Sequence, residues 1–238
     1  MRAFREQAGF SLPELLVAML SAAVIFSAIT MMTTTALRNQ DRISRRVDAG
    51  SRVRPVMTRI VQELHSSCVA QHVAPILANG TASGPGASTS NQISFISERG
   101  SDVTPTPDLH VITLAGTTLS EAVYPATGGA QPGPWTFSGA ATSNQQLLTN
   151  VSAPPGGLFQ YYDFVNGAID TTPTATPMTS VNAGRTAIVR IAMTSAPGRG
   201  TRTTSVWDPN SPLVVSDSVD LRLENAGQYP NQDNLPCV

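Results

Sequence analysis

From Leu15 to Met32 the chain carries no charged residue and is built mainly from Leu, Val, Ala, Ile and Met. At ~1.5 Å per residue, a helix from Phe10 to Met32 reaches about 35 Å, enough to cross a hydrocarbon core of roughly 30 Å. Few folds accommodate such a segment: it lies in lipid or against other apolar helices. At its entrance stands one acid, Glu14. An acidic side chain costs roughly 2.5–3.5 kcal/mol at the centre of a bilayer and less near its surface, so acids in spans generally have partners.

The remainder of the 238 residues is polar and rich in Thr, Ser, Ala, Gly and Pro, and its size suits one domain. One membrane anchor followed by one exported domain is expected. All 15 basic residues are Arg, and Arg38, Arg42, Arg45, Arg46, Arg52, Arg54 and Arg59 fall just after the apolar run. Asp41, Asp48 and Glu63 are interleaved with them and no aromatic residue accompanies them. The pattern reads as a solvated helix face resting on acidic lipid or on neighbouring subunits; no direct nucleic-acid contact is expected. Arg2 and Arg5 precede the span, so the count of flanking charges by itself favours a cytoplasmic C-terminus.

The helix is expected to continue past the span. Ile43, Val47, Val53, Val56, Met57, Ile60, Val61, Leu64 and Cys68 recur mostly at three- and four-residue steps, which makes one apolar face over 33–78. Gly50 and Pro55 predict a kink or short break, and Pro75 with Asn79-Gly80 predicts the end. After a polar loop the period changes to two. Strands are expected over 92–98, 109–115, 117–124, 145–151, 158–165, 185–194, 201–207 and 213–224, separated by Gly, Pro, Asn and Asp clusters. Asn166-Gly167 marks a tight hairpin. The predicted class is therefore α+β: a long N-terminal helix, with residues 10–32 spanning the membrane and 33–78 amphipathic, packed on an antiparallel β domain over 79–238.

Gly9-Phe10-Ser11-Leu12-Pro13-Glu14-Leu15-Leu16, behind a short charged leader over 1–9, resembles the prepilin-type signal of the type IV pilin and type II secretion pseudopilin family. The resemblance implies that a prepilin peptidase cuts between Gly9 and Phe10, and that the new amino group of Phe10 is N-methylated. It implies that Glu14 neutralises that amino terminus in a neighbouring subunit during filament assembly. The implied partners are the peptidase, other pilins or pseudopilins through the N-terminal helix, an inner-membrane assembly platform and membrane lipid. The implied location is the bacterial cytoplasmic membrane, crossed once with the N-terminus inside, and then a filament in the periplasm or at the cell surface. Weaker likenesses in Met57 to Leu64, Phe159 to Asp163, Arg185 to Thr194 and Val219 to Asn225 resemble the PilW and PulJ, or J-type, minor group. The K-type pseudopilins characteristically lack the acid present here as Glu14.

Two simpler accounts stand beside this one. Ser11-Leu12-Pro13-Glu14 also spells a capping box, with Ser11 as N-cap, so Glu14 has a local role available. A plain signal anchor would likewise give a basic start and an apolar run, without entry into a filament.

Other chemistry is sparse. Cys68 and Cys237 suit one long-range disulfide, or remain two thiols. His65, Cys68 and His72 share a helical face, but no fourth ligand accompanies them, and Asp163, Asn166 and Asp170 are explained by the Asn-Gly turn; no metal site is expected. The sequence has three His, no nucleophile elbow and no phosphate loop, so neither enzymatic activity nor a cofactor is expected.

Overall fold

The structure is a computed structural model that describes residues 11–67, 74, 76–78, 86–97, 107–129, 135–195 and 213–221. It has the expected α+β class. Helix α1 spans Leu12–His65, and strands follow at β1 (Gln92–Ser97), β2 (Asp108–Ala115), β3 (Thr118–Gly128), β4 (Thr136–Phe137), β5 (Ser143–Thr149), β6 (Val151–Ser152), β7 (Phe159–Val165), β8 (Ala168–Ile169), β9 (Thr186–Ser195) and β10 (Leu213–Asp220). A one-turn helix, α2 (Ser180–Ala183), starts behind Thr179, whose side chain accepts from the Asn182 N–H. By contact density the chain divides into two units, 1–47 and 48–238, with α1 contributing to each.

The strands form two antiparallel sheets. In the first, β1, β2 and β3 are neighbours, and the far edge of the long β3 is shared: Thr118–Val123 pairs with β5 and Ala126–Gly128 with β4. The second runs β10-β9-β7-β8, with β6 added to the end of β9. Sequence alternation located β1, β2, β5, β7 and β9 within two residues at each end; β3 runs four residues past its expected end, and the two-residue strands β4, β6 and β8 were not anticipated. The expected strand over 201–207 lies outside the described residues, as do 222–224.

Within the second unit one core ties both sheets to the last turns of α1. Val53, Met57, Ile60 and Leu64 of the helix pack with Phe95, Ile112 and Leu119 of the first sheet and with Phe159, Tyr161, Val189 and Val219 of the second. The opposite face of the first sheet is buried too, by Leu77, Ile96, Leu109, Val111 and Phe137. Strand β1 is therefore buried on both sides, which is why its residues lack a wet face.

Three helix expectations need correction. Of the kink or short break expected between Gly50 and Pro55, the break is absent: helical residues run through both. Pro55 removes one internal hydrogen bond, but the apolar stripe on either side of it is buried in the core and holds the flanking turns in helical register. The helix ends at His65 rather than near residue 78, because Ser67 bridges to Ser97 and Ser66 bonds its hydroxyl to Ser97 at 2.8 Å, which turns the chain onto β1. Residues Ile43 and Val47 are 63% and 66% exposed, so the buried stripe begins only near Ala49 and Val53.

Asn166 and Gly167 both adopt positive φ, 54° and 81°, and close a two-residue hairpin between β7 and β8. That is the turn whose twist matches its strands, and Asn-Gly tolerates it at low cost.

Tyr161 is fully buried, and its hydroxyl is shared between the carbonyl oxygens of Thr89 and Gln92, both at 3.0 Å. Burial pushes the phenol well above its usual range. Replacing it with phenylalanine keeps the ring but strands the Thr89 carbonyl, since Gln92 still accepts from the Thr89 N–H at 2.7 Å. Tyr161→Phe is expected to cost about 1–3 kcal/mol, read as a lowered urea midpoint with unchanged m-value.

Candidate assembly site

The described residues of the first unit present a surface rather than an enclosed site. Leu12–Asp41 forms 30 helical residues long and apolar enough to cross a membrane, with none of the window buried within the chain. Leu12, Met19, Phe26, Met31 and Met32 are each more than two-thirds exposed. Exposed apolar surface on this scale calls for lipid or for other apolar helices.

The polar side chains along the run are arranged for such surroundings. The hydroxyls of Ser21, Thr30 and Thr33 each donate to the carbonyl four residues back, at 2.8 Å. Thr34 and Thr35 both donate to the Met31 carbonyl, at 3.0 and 2.9 Å. Each hydroxyl proton is thereby satisfied within the helix, as a hydrocarbon environment requires.

At the entrance, the Ser11 carbonyl accepts the Leu15 N–H at 3.1 Å, so Ser11 is the N-cap. Its own N–H and hydroxyl both donate to Glu14 Oε2, at 3.4 and 3.3 Å. This is the reverse half of a capping box: the carboxylate folds back over the helix start, where the dipole favours negative charge. The bonds are long and exposed. Glu14 therefore caps its helix weakly while keeping its charge at the surface of the apolar run, and the two roles considered for it are compatible.

Gly9 and Phe10, the expected cleavage and methylation positions, lie outside the described residues, as do Cys68, His72 and Cys237. His65 is described and exposed. Asp163 accepts from the Thr174 hydroxyl at 2.8 Å and Asp170 from the Thr172 N–H at 3.0 Å, so both carboxylates serve the turn around the β7–β8 hairpin.

Sequence reading missed one constellation. Arg59 and Glu63 lie one turn apart on α1, and Arg59 Nε donates to Glu63 Oε1 at 2.8 Å. The same guanidinium reaches Glu121 on β3 at 2.5 Å and Gln145 on β5 at 2.9 Å. His110 on β2 places Nδ1 2.8 Å from the other Glu121 oxygen, and its ring stacks on Phe95 with centroids 5.3 Å apart. Arg59, placed by its sequence neighbours on a solvated face, is instead turned inward, whereas Arg52 pairs with Asp48 at the surface as expected. A signal was present: at period two, Glu121 shares its face with Leu119 and Val123, so an inward carboxylate follows from the strand alternation.

Side-chain N and O atoms of Glu63, His110 and Glu121 lie within 4.8 Å of one another, a spacing that a divalent ion can bridge. Arg59 already fills that role. It binds both carboxylates, and a divalent ion added beside it would leave the buried group net positive. The group is an ionic clasp between helix and sheet.

No family model matches the chain, and no curated protein does.

Proposed function

We propose that this chain is a minor pilin or pseudopilin: a structural, non-enzymatic subunit of a type IV pilus or type II secretion pseudopilus. It enters the filament after cleavage between Gly9 and Phe10, and it primes or caps assembly. The observation that carries this reading is the shared helix. One uninterrupted α1 supplies both a fully exposed apolar run and, from Val53 onward, a buried strip of the β domain's core. A simple anchor needs only the first of these. A filament subunit needs both, because the helix that packs with other subunits also has to belong to its domain. In this reading Glu14, at the start of that helix, meets a neighbour's amino terminus.

The orientation in this reading is N-terminus inside and β domain outside. The arginines after the span oppose it, but a segment as long as Asp48–Val238 translocates largely regardless of flanking charge. The acting partners are the prepilin peptidase, the assembly platform, lipid and other subunits of the filament.

The test is the mature N-terminus. Co-expressed with a prepilin peptidase, the membrane-extracted chain is expected to begin at N-methyl-Phe10 by mass spectrometry. Gly9→Leu is expected to accumulate as uncut precursor, since glycine leaves the junction free of a side chain. A chain that keeps Met1 under these conditions would overturn the proposal in favour of a signal-anchored binding or adhesion domain.

A further inference from the structure

The charges that follow the span are not used by the reading above. No residue between Glu14 and Arg38 is charged, and the positions from there to Val47 hold four arginines, Arg38, Arg42, Arg45 and Arg46, against one acid, Asp41. All of these positions are helical and belong to the first unit. We propose that this basic stretch is a collar for anionic phospholipid, gathering phosphodiester head groups in the leaflet where the span ends, with Arg38 nearest the hydrocarbon and Arg42 next. The collar depends only on the span, so it holds for a filament subunit and for a plain anchor alike.

Depth decides which layer of a membrane meets these residues. At ~1.5 Å per residue, Arg38 stands about 36 Å along the helix from Glu14. Bilayer hydrocarbon is about 30 Å thick, and the bilayer with its head groups about 40–45 Å. Two charges that bracket an apolar run at that separation both fall among head groups, one at each face. The residues just before Arg38 suit lipid. Thr33, Thr34 and Thr35 donate their hydroxyl protons to helix carbonyls, and Leu37 after them is apolar and 59% exposed. Arg38 is exposed. Arg42 follows about 6 Å further out, and Arg45 and Arg46 further still, where salt begins to screen them.

Charge and side-chain type match the ligand. Four arginines against one aspartate leave an excess of three positive charges, with Asp41 counted. A guanidinium stays cationic at physiological pH, and its planar fork takes two phosphate oxygens at once. Basic residues beside a span are drawn to an anionic leaflet.

The rival occupant is an acidic surface of another subunit, and the far side of the helix argues against it. At 3.6 residues per turn, positions 38, 42, 45 and 46 fall within an arc of about 100°, and positions 37, 43 and 47 fall in the arc facing away. Leu37, Ile43 and Val47 are apolar and 59%, 63% and 66% exposed. A helix of another subunit has that apolar side to pack on, which leaves the basic side to head groups.

The full chain in neutral detergent, titrated with phosphatidylglycerol or with phosphatidylcholine, reports binding as lipid retained in native mass spectrometry. Phosphatidylglycerol is expected to bind more tightly, and its advantage to fade as salt rises. Equal retention of the two lipids, or a preference indifferent to salt, overturns the proposal, and both measurements use the wild type alone. The double variant Arg38→Gln, Arg42→Gln tests the residues. An arginine near an anionic surface contributes about fivefold, so phosphatidylglycerol binding is expected to weaken roughly thirtyfold while phosphatidylcholine binding stays unchanged. The pair Arg45→Gln, Arg46→Gln is expected to lose less. A double variant at 38 and 42 that keeps the full preference overturns the collar, and if it also stops co-purifying with other subunits, the stretch serves a protein neighbour instead. Inorganic phosphate at the same concentration is expected to leave the lipid bound; displacement would make this a site for free phosphate and overturn the lipid assignment. A chain that kept Met1 would refute the filament reading and leave each of these results as expected.

Discussion

Glu14→Ala is expected to give a chain that is cut, methylated and retained in the membrane, yet absent from filaments. In the proposed assembly the carboxylate meets a neighbour's new amino terminus inside a bundle of apolar helices. Removing one partner of a buried ion pair costs about 3–5 kcal/mol, because the other charge is left unpaired in low dielectric. At about 1.4 kcal/mol per tenfold, incorporation falls by roughly a hundred- to several-thousand-fold. The local role of Glu14 is far weaker: its bonds to Ser11 are 3.3–3.4 Å long and exposed, and a cap of that kind contributes about 1 kcal/mol. Glu14→Gln separates the two, since glutamine also serves the third position of a capping box. It is expected to keep the helix start and still be missing from sheared filaments by immunoblot. Normal incorporation of Glu14→Gln would reduce Glu14 to a cap.

The second large effect belongs to the other end of the same helix. Ile60→Ala is expected to destabilise the second unit by about 2–5 kcal/mol, a large fraction of the roughly 5–15 kcal/mol that holds a domain together. Ile60 is fully buried among residues from both sheets, so the cavity has no single neighbour able to collapse into it. Denaturant unfolding of the full chain in micelles reads the loss directly. Val47→Ala provides the contrast. It lies two turns before Val53 on a face that sequence periodicity made continuous with the core, but it is exposed, and its effect on the same transition is expected within about 0.5 kcal/mol.

That contrast shows where sequence reading succeeded and where it stopped. The span, its Ser11 cap and the Asn166-Gly167 turn were legible because each is decided by residues within one turn or one hairpin. The alternating strands were legible because burial of one sheet face imposes period two. The end of α1 was not: Ser66 and Ser67 are neutral as helix breakers, and the turn after His65 is made by their bonds to Ser97, far along the chain. Pro55 misled in the other direction, because tertiary packing on both sides outweighs one missing hydrogen bond. The clasp was half visible. Arg59 and Glu63 stand at helical spacing and Glu121 on an inward strand position, but their meeting depends on strand order, which no local pattern encodes. Of the residues proposed for assembly, Glu14 can be placed in three dimensions, whereas Gly9-Phe10 rests on its sequence alone.

The burial of the last turns of α1 has a mechanical consequence within the second unit. Residues of both sheets grip those turns at once, so a load on them arrives as shear shared by Val53, Met57, Ile60 and Leu64 and by the ion pairs of Arg59, rather than peeling one contact after another.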